Sequence, residues 1–350
     1  MVPSLPRGSR RFATLLVAAA GVLVALVFAS VASVPYVALT PGPTLNTLGK
    51  SGGRPMIEIK GHRTYLTKGH LNMVTVSFLG GPQSDFNIFA ALRAWLSPHD
   101  AVVPEEEIFT PGQTQQQVSK EDTEEMVNSQ QTAAAAALCQ LKIQFRTVDR
   151  IAATEPGMPA RGVLRPGDVI SAVDGKLVTC TADAGTLIRA GRPGSPVELT
   201  IIRKGKPVRV RLVSKKVQGE AMIGVDVQES FVFPFSVNIN ITNIGGPSAG
   251  LMFALGIIDK LTPMNLTAGR FIAGTGEIEA NGTVDPIGGI QQKMAGARAA
   301  GATIFLTPAA NCPDAAGAVP AGMRLIKVSS LGGAIRDLQS LKAGRPVPSC

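Results

Sequence analysis

The segment from Phe12 to Gly49 contains no charged residue, and this run constrains the chain more than any other feature of its sequence. Its first part, FATLLVAAAGVLVALVFASVASVPYVAL, is longer than the roughly 20 residues that a helix needs to cross a bilayer. Arg7, Arg10 and Arg11 precede it without an acidic neighbour, so the positive-inside rule puts the N-terminus in the cytoplasm.

The predicted arrangement is a single-pass membrane protein. Residues 1–37 form a cytoplasmic tip and a transmembrane helix, and everything beyond about residue 38 is extracytoplasmic. A cleaved signal peptide is the alternative, because the small residues Ala29 and Ala32 lie where the apolar run ends. The uncharged run is long for such a signal, which favours an anchor.

Composition narrows the chemistry of the remaining chain. At 350 residues and 45% hydrophobic content the chain is long enough for two domains with buried cores. The three histidines, His62, His70 and His99, have no neighbouring cysteine, so the sequence predicts neither a metal site nor a cofactor. A net charge of +9 that is scattered along the chain, with only 5% aromatic residues, argues against a nucleic-acid partner.

The four cysteines, Cys139, Cys180, Cys312 and Cys350, fit an oxidising compartment without proving one. Three full pairings are open from sequence alone, and free buried thiols are an equal alternative. Cys312 and Cys350 flank one domain, and a bond between them would hold its C-terminal tail.

Residues 38–138 predict a mixed α/β region outside the membrane. Short strands are indicated by MIEIKG and LNMVTVSFLG, and DFNIFAALRAWL has a helical pattern. The stretch 119–142 has acidic residues early and a lysine at its end, which suits a helix and its dipole. We expect this alanine-rich helix to support or connect other elements rather than to carry chemistry.

Residues 139–216 form a different unit, in which strands meet at a KGK turn and a short helix covers residues 182–191. Its segment EPGMPARGVLRPGDVISAVDGKLV resembles the core of bacterial PDZ domains. The resemblance implies that an extended peptide binds between the strand at 143–150 and that helix. A β-rich spacer without a ligand is the alternative.

Residues 217–350 alternate strands with helices at 249–260, 290–300 and 331–342, which predicts an α+β domain. In GGPSAG, Ser248 lies at a strand-to-helix junction, where free backbone N–H groups can stabilise an oxyanion. The same position suits an ordinary N-cap serine, which stabilises a helix by about 1 kcal/mol. A nucleophilic serine would need a base, and without a suitable histidine that base is a lysine with a lowered pKa.

Lys293 is the candidate base, in the first turn of the helix that follows GG in VDPIGGIQQKMAGARAAGATIFL. The helix dipole and apolar neighbours such as Ile290 and Met294 would both favour its neutral form. A solvated surface lysine is the alternative reading of this position taken by itself.

Together the two segments resemble the proteolytic domain of the Lon protease family, over approximately residues 235–310. The resemblance implies a catalytic dyad of Ser248 and Lys293, with the backbone N–H groups of Gly246 and Ser248 as oxyanion donors. It also implies a supporting role for Thr275, which would hydrogen-bond the lysine. Gly245 stands where the family often has an acidic residue, so a helper carboxylate must come from elsewhere or be absent.

The whole order resembles the membrane-anchored PDZ and Lon-domain proteases. The predicted fold is α+β, with one N-terminal transmembrane helix, a PDZ-like β-rich module and a Lon-type α+β proteolytic domain. No Walker A motif is present, and Lys50 in TLNTLGKS lacks the first glycine of that motif, so we expect ATP-independent cleavage.

The predicted activity is that of a serine endopeptidase at the cell membrane acting on extracytoplasmic proteins or peptides. Homo-oligomer formation is left open. The alternatives are a non-catalytic PDZ adaptor and an amidase or esterase that uses the same dyad on a small substrate.

Overall fold

The computed structural model describes residues 7–82, 84, 86–242 and 244–350. Residues 1–6, which belong to the predicted cytoplasmic tip, lie outside the described residues, as do the side chains of Arg7, Arg10 and Arg11. The described part of the chain contains eight α-helices: α1 (Arg7–Val31), α2 (Ile88–Trp95), α3 (Gln115–Gln140), α4 (Ala184–Arg189), α5 (Gly250–Leu261), α6 (Ile290–Ala299), α7 (Cys312–Ala316) and α8 (Leu331–Lys342).

Twenty strands accompany these helices over the same described residues, which confirms the α+β class. They are β1 (Tyr36–Asn46), β2 (Lys50–Ser51), β3 (Arg54–Pro55), β4 (Ile57–Lys60), β5 (His70–Gly80), β6 (Ala101–Pro104), β7 (Arg146–Thr154), β8 (Val169–Val173), β9 (Lys176–Leu177), β10 (Pro196–Arg203), β11 (Lys206–Val213), β12 (Lys215–Val217), β13 (Glu220–Met222), β14 (Val225–Val232), β15 (Ser236–Ile239), β16 (Phe271–Gly274), β17 (Glu277–Ile278), β18 (Val284–Asp285), β19 (Ile304–Pro308) and β20 (Arg324–Val328).

Helix α1 contains the uncharged segment. Its stretch Phe12–Val31 is 20 residues long with a mean hydropathy of 2.6, and none of it is buried against the rest of the chain. The helix is therefore long and apolar enough to cross a bilayer, a test that a signal sequence near the N-terminus also passes.

The largest sheet, which we call the main sheet, has the strand order β20-β19-β16-β5-β1-β6. Its strands β1, β5 and β6 precede the PDZ-like module in the chain, whereas β16, β19 and β20 follow it. Strand β16 pairs in parallel with both β5 and β19, so the sheet joins two segments far apart in sequence. Residues 38–138 and 217–350 thus share one sheet, and the structure differs here from the predicted domain boundaries.

The core explains why these two segments combine. One hydrophobic cluster contains Met56 and Leu71 from the first segment and Phe253 and Leu255 from the second. Helix α5 is apolar on every side from Gly250 to Ile258, and eleven of its twelve residues are buried, so it must be surrounded by other elements. Both segments contribute the side chains that surround it.

The PDZ-like module, which we call the insert, has its own sheet, with strand order β11-β10-β8-β7-β14, and its own core around Ile151, Ile170 and Leu199. Strands β10 and β11 form the predicted hairpin at KGK, where Lys204 and Gly205 have φ angles of 49° and 77°. Strand β14 lies beyond the predicted end of the module at residue 216. It nevertheless pairs with β7 along its whole length.

Helix α3 connects the insert to the main sheet. It begins one turn earlier than predicted, because Thr114 and Gln117 form a capping box. Its buried alanine run, from Ala133 to Ala137, lets α3 pack closely against α5. The predicted supporting role for this helix therefore fits its packing.

Two disulfides are present in the described residues. Cys139, at the end of α3, pairs with Cys180 of the insert, and Cys312 pairs with Cys350. The second pair is the one expected to hold the C-terminal tail, and the first fastens the insert to α3. No cysteine in this part of the chain is free.

Candidate active site

Ser248 lies in the turn between β15 and α5. Gly246, two residues earlier, has a φ of 82°, a left-handed conformation that glycine adopts without strain. The N-cap residue of α5 is Ala249, and no side chain caps the helix. The half-buried Ser248 hydroxyl makes no hydrogen bond to a described residue, so it is not used as a helix cap.

Three elements hold this turn by hydrogen bonds. From α3, the Ser129 hydroxyl donates to the carbonyl of Pro247 at 2.9 Å. From the segment after β16, the Thr275 hydroxyl and the Gly276 N–H donate to the carbonyl of Ser248, at 2.9 and 2.8 Å. The backbone on both sides of the serine is therefore fixed from outside the turn.

One of the two predicted oxyanion donors is already engaged. The Gly246 N–H donates to the backbone carbonyl of Asp122 on α3, at 3.1 Å, and so is not available to a substrate in this structure. The N–H groups of Ser248 and Ala249 make no hydrogen bond to a described residue. They lie at the N-terminal end of α5, where the helix dipole favours negative charge.

Lys293 is in the first turn of α6, which follows Gly289, a residue with a φ of 67°. The side chain is only 4% exposed, and the buried Met294 and Ala297 lie on the same helix. Burial lowers the pKa of Lys293 to about 8, because desolvation penalises the charged amine. The surface-lysine alternative is therefore wrong. Desolvation is one of the two effects that the sequence suggested for this lysine.

Of the predicted site residues, Ser248 and Thr275 are in contact, whereas Lys293 forms no hydrogen bond with either of them among the described residues. Thr275 contacts Ser248 directly, but its hydroxyl donates to the serine carbonyl and makes no hydrogen bond with Lys293 among the described residues. No hydrogen bond joins the Ser248 hydroxyl to the Lys293 amine in this part of the chain either. Bonds between a nucleophile and its base are often long before a substrate binds.

Helices α5 and α6 lie on opposite faces of the main sheet. On β16, Ile272 belongs to the cluster that contains α5, whereas Ala273 belongs to the cluster that contains α6. Thr275 and Gly276 follow directly at the end of this strand and bind the Ser248 carbonyl. The end of β16 is thus the element that links the serine turn to the sheet on which Lys293 packs.

Sequence reasoning missed Asp122 and Ser129, because nothing local marks a helix that meets residue 245 only in the folded chain. A Cβ atom added to Gly245 would lie 2.3 Å from the Cβ of Asp122 and 2.9 Å from its carboxyl carbon. The side chain of Asp122 thus occupies the space that a side chain at position 245 would need. Burial, and then the charge of Glu121, raise the pKa of Asp122.

The strand at which the sequence predicts a peptide groove has no free edge in the structure. Strand β7, which contains residues 146–154, is covered by β14, so the free strand edge nearest α4 belongs to β14. A cavity of about 860 Å³ lies beside it, and we call this cavity the interdomain groove. Its walls are β14 and α4 of the insert on one side, and α3 and the β17 segment on the other.

Comparisons with known proteins cover both modules. Residues 140–213 match the PDZ domain, and residues 237–336 match the Lon protease (S16) C-terminal proteolytic domain. The Lon protease of Roseiflexus castenholzii is 45% identical over 69 residues, which cover 20% of this chain and 8% of that protein. The Lon protease of Chloroflexus aurantiacus is 32% identical over 210 residues, 56% of this chain and 23% of that protein.

A solved PDZ domain of an SdrC-like protein from Listeria innocua is 20% identical. The match covers 23% of this chain and 92% of that one, with a TM-score of 0.22. The chain spans less than a quarter of the length of the two Lon proteases that it matches. The match to the Lon proteolytic domain covers the region that contains Ser248 and Lys293.

Proposed function

Because the chain carries a PDZ domain and a Lon-type proteolytic domain, we propose that it is a membrane-anchored serine endopeptidase with a Ser248–Lys293 dyad. The observation that carries this proposal is the burial of the Lys293 side chain. A lysine that is 4% exposed, without an ion pair among the described residues and with a pKa near 8, destabilises the fold through the burial of its charge, which is typical of a functional site. A neutral amine at this position has the basicity of a general base.

In the proposed reaction the Ser248 hydroxyl attacks the scissile carbonyl, and its proton passes to the neutral Lys293 amine. The resulting ammonium gives that proton to the leaving amine as the peptide bond breaks, which leaves an acyl group on the serine oxygen. A water molecule then attacks the ester, again with Lys293 as base, and the serine is regenerated. The N–H groups of Ser248 and Ala249 stabilise the oxyanion in both steps.

Thr275 acts as a positioning residue in this scheme. Its buried hydroxyl donates to the Ser248 carbonyl and keeps lone pairs free, so it can also accept a hydrogen bond from Lys293. Thr275→Val should lower kcat with little change in KM, and Thr275→Ser should restore most of the activity. A merely structural role would instead lower the melting temperature of both variants together.

Anchoring by α1 would hold the catalytic domain outside the cytoplasmic membrane. The two disulfides agree with that compartment, because cytosolic thiols are kept reduced. Cleavage there would proceed without ATP, on unfolded proteins or peptides.

The test compares the wild-type protein with Ser248→Ala and Lys293→Ala, purified in nanodiscs and given an unfolded protein substrate. Lys327→Ala, on an exposed lysine of β20, is the matched control. We expect cleavage without added nucleotide by the wild type and the control, and a loss of at least a hundredfold in both dyad variants. Equal cleavage by all four proteins would contradict the proposal, and no cleavage by any of them would favour a non-catalytic adaptor.

A further inference from the structure

The interdomain groove is acidic, although the chain as a whole has a net charge of +9. Six carboxylate side chains line it against one guanidinium, that of Arg189. Arg189 itself lies 3.9 Å from Glu220, so part of its charge is already balanced. The six carboxylates belong to Asp149, Asp183, Asp226, Glu229, Glu277 and Glu279.

The two walls of the groove are close enough to influence each other's charge. Burial, and then the charges of Asp149, Asp183 and Glu279, together raise the pKa of Glu229, on β14, to about 7. Glu279 belongs to the opposite wall, just after β17. Carboxylates crowded in this way are stabilised when a cation binds between them.

The buried carboxylate of Asp149 also lacks a hydrogen-bond partner, within the described part of the chain, for one of its oxygen atoms. Its side chain is 1% exposed, and one carboxylate oxygen accepts the Ala184 N–H at 2.9 Å. The other oxygen is buried and has no hydrogen-bond partner among the described residues. A buried acceptor without a partner is costly, and Asp149 is one of the residues that line the groove.

The backbone of the groove is suited to an extended ligand. Strand β14 is at the edge of the insert sheet, and among the described strands it pairs with β7 alone. Its second edge therefore faces the groove, and its N–H and C=O groups there have no strand partner in the described chain. Such an edge accepts a peptide as an added strand.

We propose that the interdomain groove binds extended peptide segments that carry lysine or arginine side chains, and that it leads them to Ser248. Both walls of the groove extend to the turn that contains Ser248. Helix α3 lines the groove with Asn128 and Gln131, and its Ser129 holds Pro247. The β17 segment starts directly after Gly276, whose N–H binds the Ser248 carbonyl. Delivery rests on the proposed peptidase function, whereas binding does not.

The binding test uses full-length Ser248→Ala protein in nanodiscs and fluorescein-labelled peptides measured by anisotropy. One peptide carries lysines, and its matched partner carries glutamines at the same positions. We expect the lysine peptide to bind at least fivefold more tightly at low salt, and salt to reduce the difference.

Glu229→Gln and Glu279→Gln should each weaken lysine-peptide binding about fivefold and leave the affinity for the glutamine peptide unchanged. Glu107→Gln, on an exposed carboxylate outside the groove, is the control and should change neither.

Equal affinity for the two peptides, or lysine-peptide binding that is insensitive to Glu229→Gln and Glu279→Gln, would overturn this proposal. Its failure is distinct from failure of the proposed function. Loss of charge selectivity would leave Ser248-dependent cleavage intact, and cleavage that survives Ser248→Ala would leave the binding result intact.

A second inference rests on α2, which presents an apolar face that nothing in the described chain covers. Ile88, Phe89, Leu92, Trp95 and Leu96 are between 37% and 73% exposed. Their spacing of i, i+1, i+4, i+7 and i+8 puts them on one side of the helix. The buried Ala94 faces the small core beneath α2.

This face lies where α1 ends. The Asn87 amide donates to the carbonyl of Ser30 at 3.0 Å, and the Val34 N–H donates to the carbonyl of Phe86 at 2.9 Å. The start of α2 is thus fastened to the last turns of the apolar helix. We infer that the exposed face of α2 lies in the lipid interface beside α1, where tryptophan is favoured.

The chain has a single tryptophan, so Trp95 reports on this contact without labelling. In nanodiscs made with brominated lipid we expect its fluorescence to fall at least twofold relative to unbrominated lipid. The control is Leu177→Trp in a Trp95→Phe background, which puts the tryptophan on an exposed position of the insert and should show no quenching. Unquenched Trp95 fluorescence would overturn this inference. Anchoring by α1 is judged separately, by resistance of the protein to alkaline extraction from vesicles.

Discussion

At the scale of the residue, the site depends on one buried amine. Lys293 is held at the start of α6 among apolar side chains, and its pKa of about 8 follows from desolvation. A lysine in water is charged at neutral pH and cannot accept a proton. Burial therefore provides the chemical property that the proposed mechanism needs.

The first prediction concerns pH. Because only the neutral amine can take the serine proton, single-turnover acylation by a short uncharged ester should rise with pH and level off above about 8. A stopped-flow pH profile measures this directly. A rate that is flat between pH 6 and pH 9 would show that Lys293 is not the base.

The second prediction concerns stability. The folded-state pKa of Lys293 is about 8 against 10.5 for the free side chain, so folding disfavours its protonated form. The shift corresponds to a cost on the order of 3 kcal/mol below pH 8, which decreases as the pH rises towards 10.5. Lys293→Met should therefore raise the melting temperature at pH 7 while abolishing cleavage.

The comparison of Lys293→Met with the wild type at pH 7 and pH 9.5 also separates catalysis from folding. The gap in melting temperature should narrow at the higher pH. A variant that is less stable than the wild type at both pH values would mean that packing of the Lys293 side chain outweighs the cost of burying its charge.

At the scale of the element, α3 packs closely against the turn that contains Ser248. Gly245 has no side chain, and the Asp122 side chain fills the space beside it. Gly245→Ala should push α3 away, break the Gly246–Asp122 hydrogen bond and reduce kcat about tenfold. Asp122→Gly removes the colliding Cβ atom, so the double variant should recover part of the loss if the collision is the cause. A double variant no better than Gly245→Ala would mean that the Asp122 carboxylate itself is needed.

The sequence predicts single elements well when their signals are local. Helix α8 occupies the predicted residues 331–342, and α5 and α6 lie within one residue of their predicted ends. The KGK hairpin is a local turn and forms as expected. In contrast, β14 was not predicted from the sequence. Its eight residues form a strand by pairing with β7, some 80 positions earlier, and no local pattern indicates that pairing.

At the scale of the whole molecule, the insert is held by two chain connections and one disulfide. Cys139–Cys180 ties it to α3, which lines the groove and supports the catalytic turn. Removing this bond with Cys139→Ser and Cys180→Ser should cost about 2–4 kcal/mol of stability. Cleavage of long basic peptides should fall more than hydrolysis of a short ester, because only the former uses the groove.

The second disulfide provides the matched control. Cys312–Cys350 closes a loop of similar length, with a sequence separation of 38 against 41, but lies away from the insert. Replacing both of its cysteines with serine should reduce stability by a similar amount and leave the ratio of peptide to ester cleavage unchanged. An equal change of that ratio in the two variants would show that the insert does not guide substrates.

The sequence did not predict that two distant segments of the chain share the main sheet. The candidate catalytic residues could be proposed from the sequence because they lie in two short motifs, GGPSAG and DPIGGIQQK. The division into consecutive domains differed from the structure, because β5 and β16 are about 200 positions apart and become neighbours only in the main sheet. Asp122 and the true edge strand of the groove were missed for the same reason.

The central claim is that Ser248 is a nucleophile activated by Lys293. The most direct measurement is peptide mapping by mass spectrometry after brief treatment of the full-length protein with a β-lactone, which acylates activated serines. We predict one acyl group, on Ser248, formed faster as the pH rises towards 8 and lost in Lys293→Met. Acylation of Ser248 at the same rate without Lys293, or no acylation of Ser248 in the wild type, would contradict the claim.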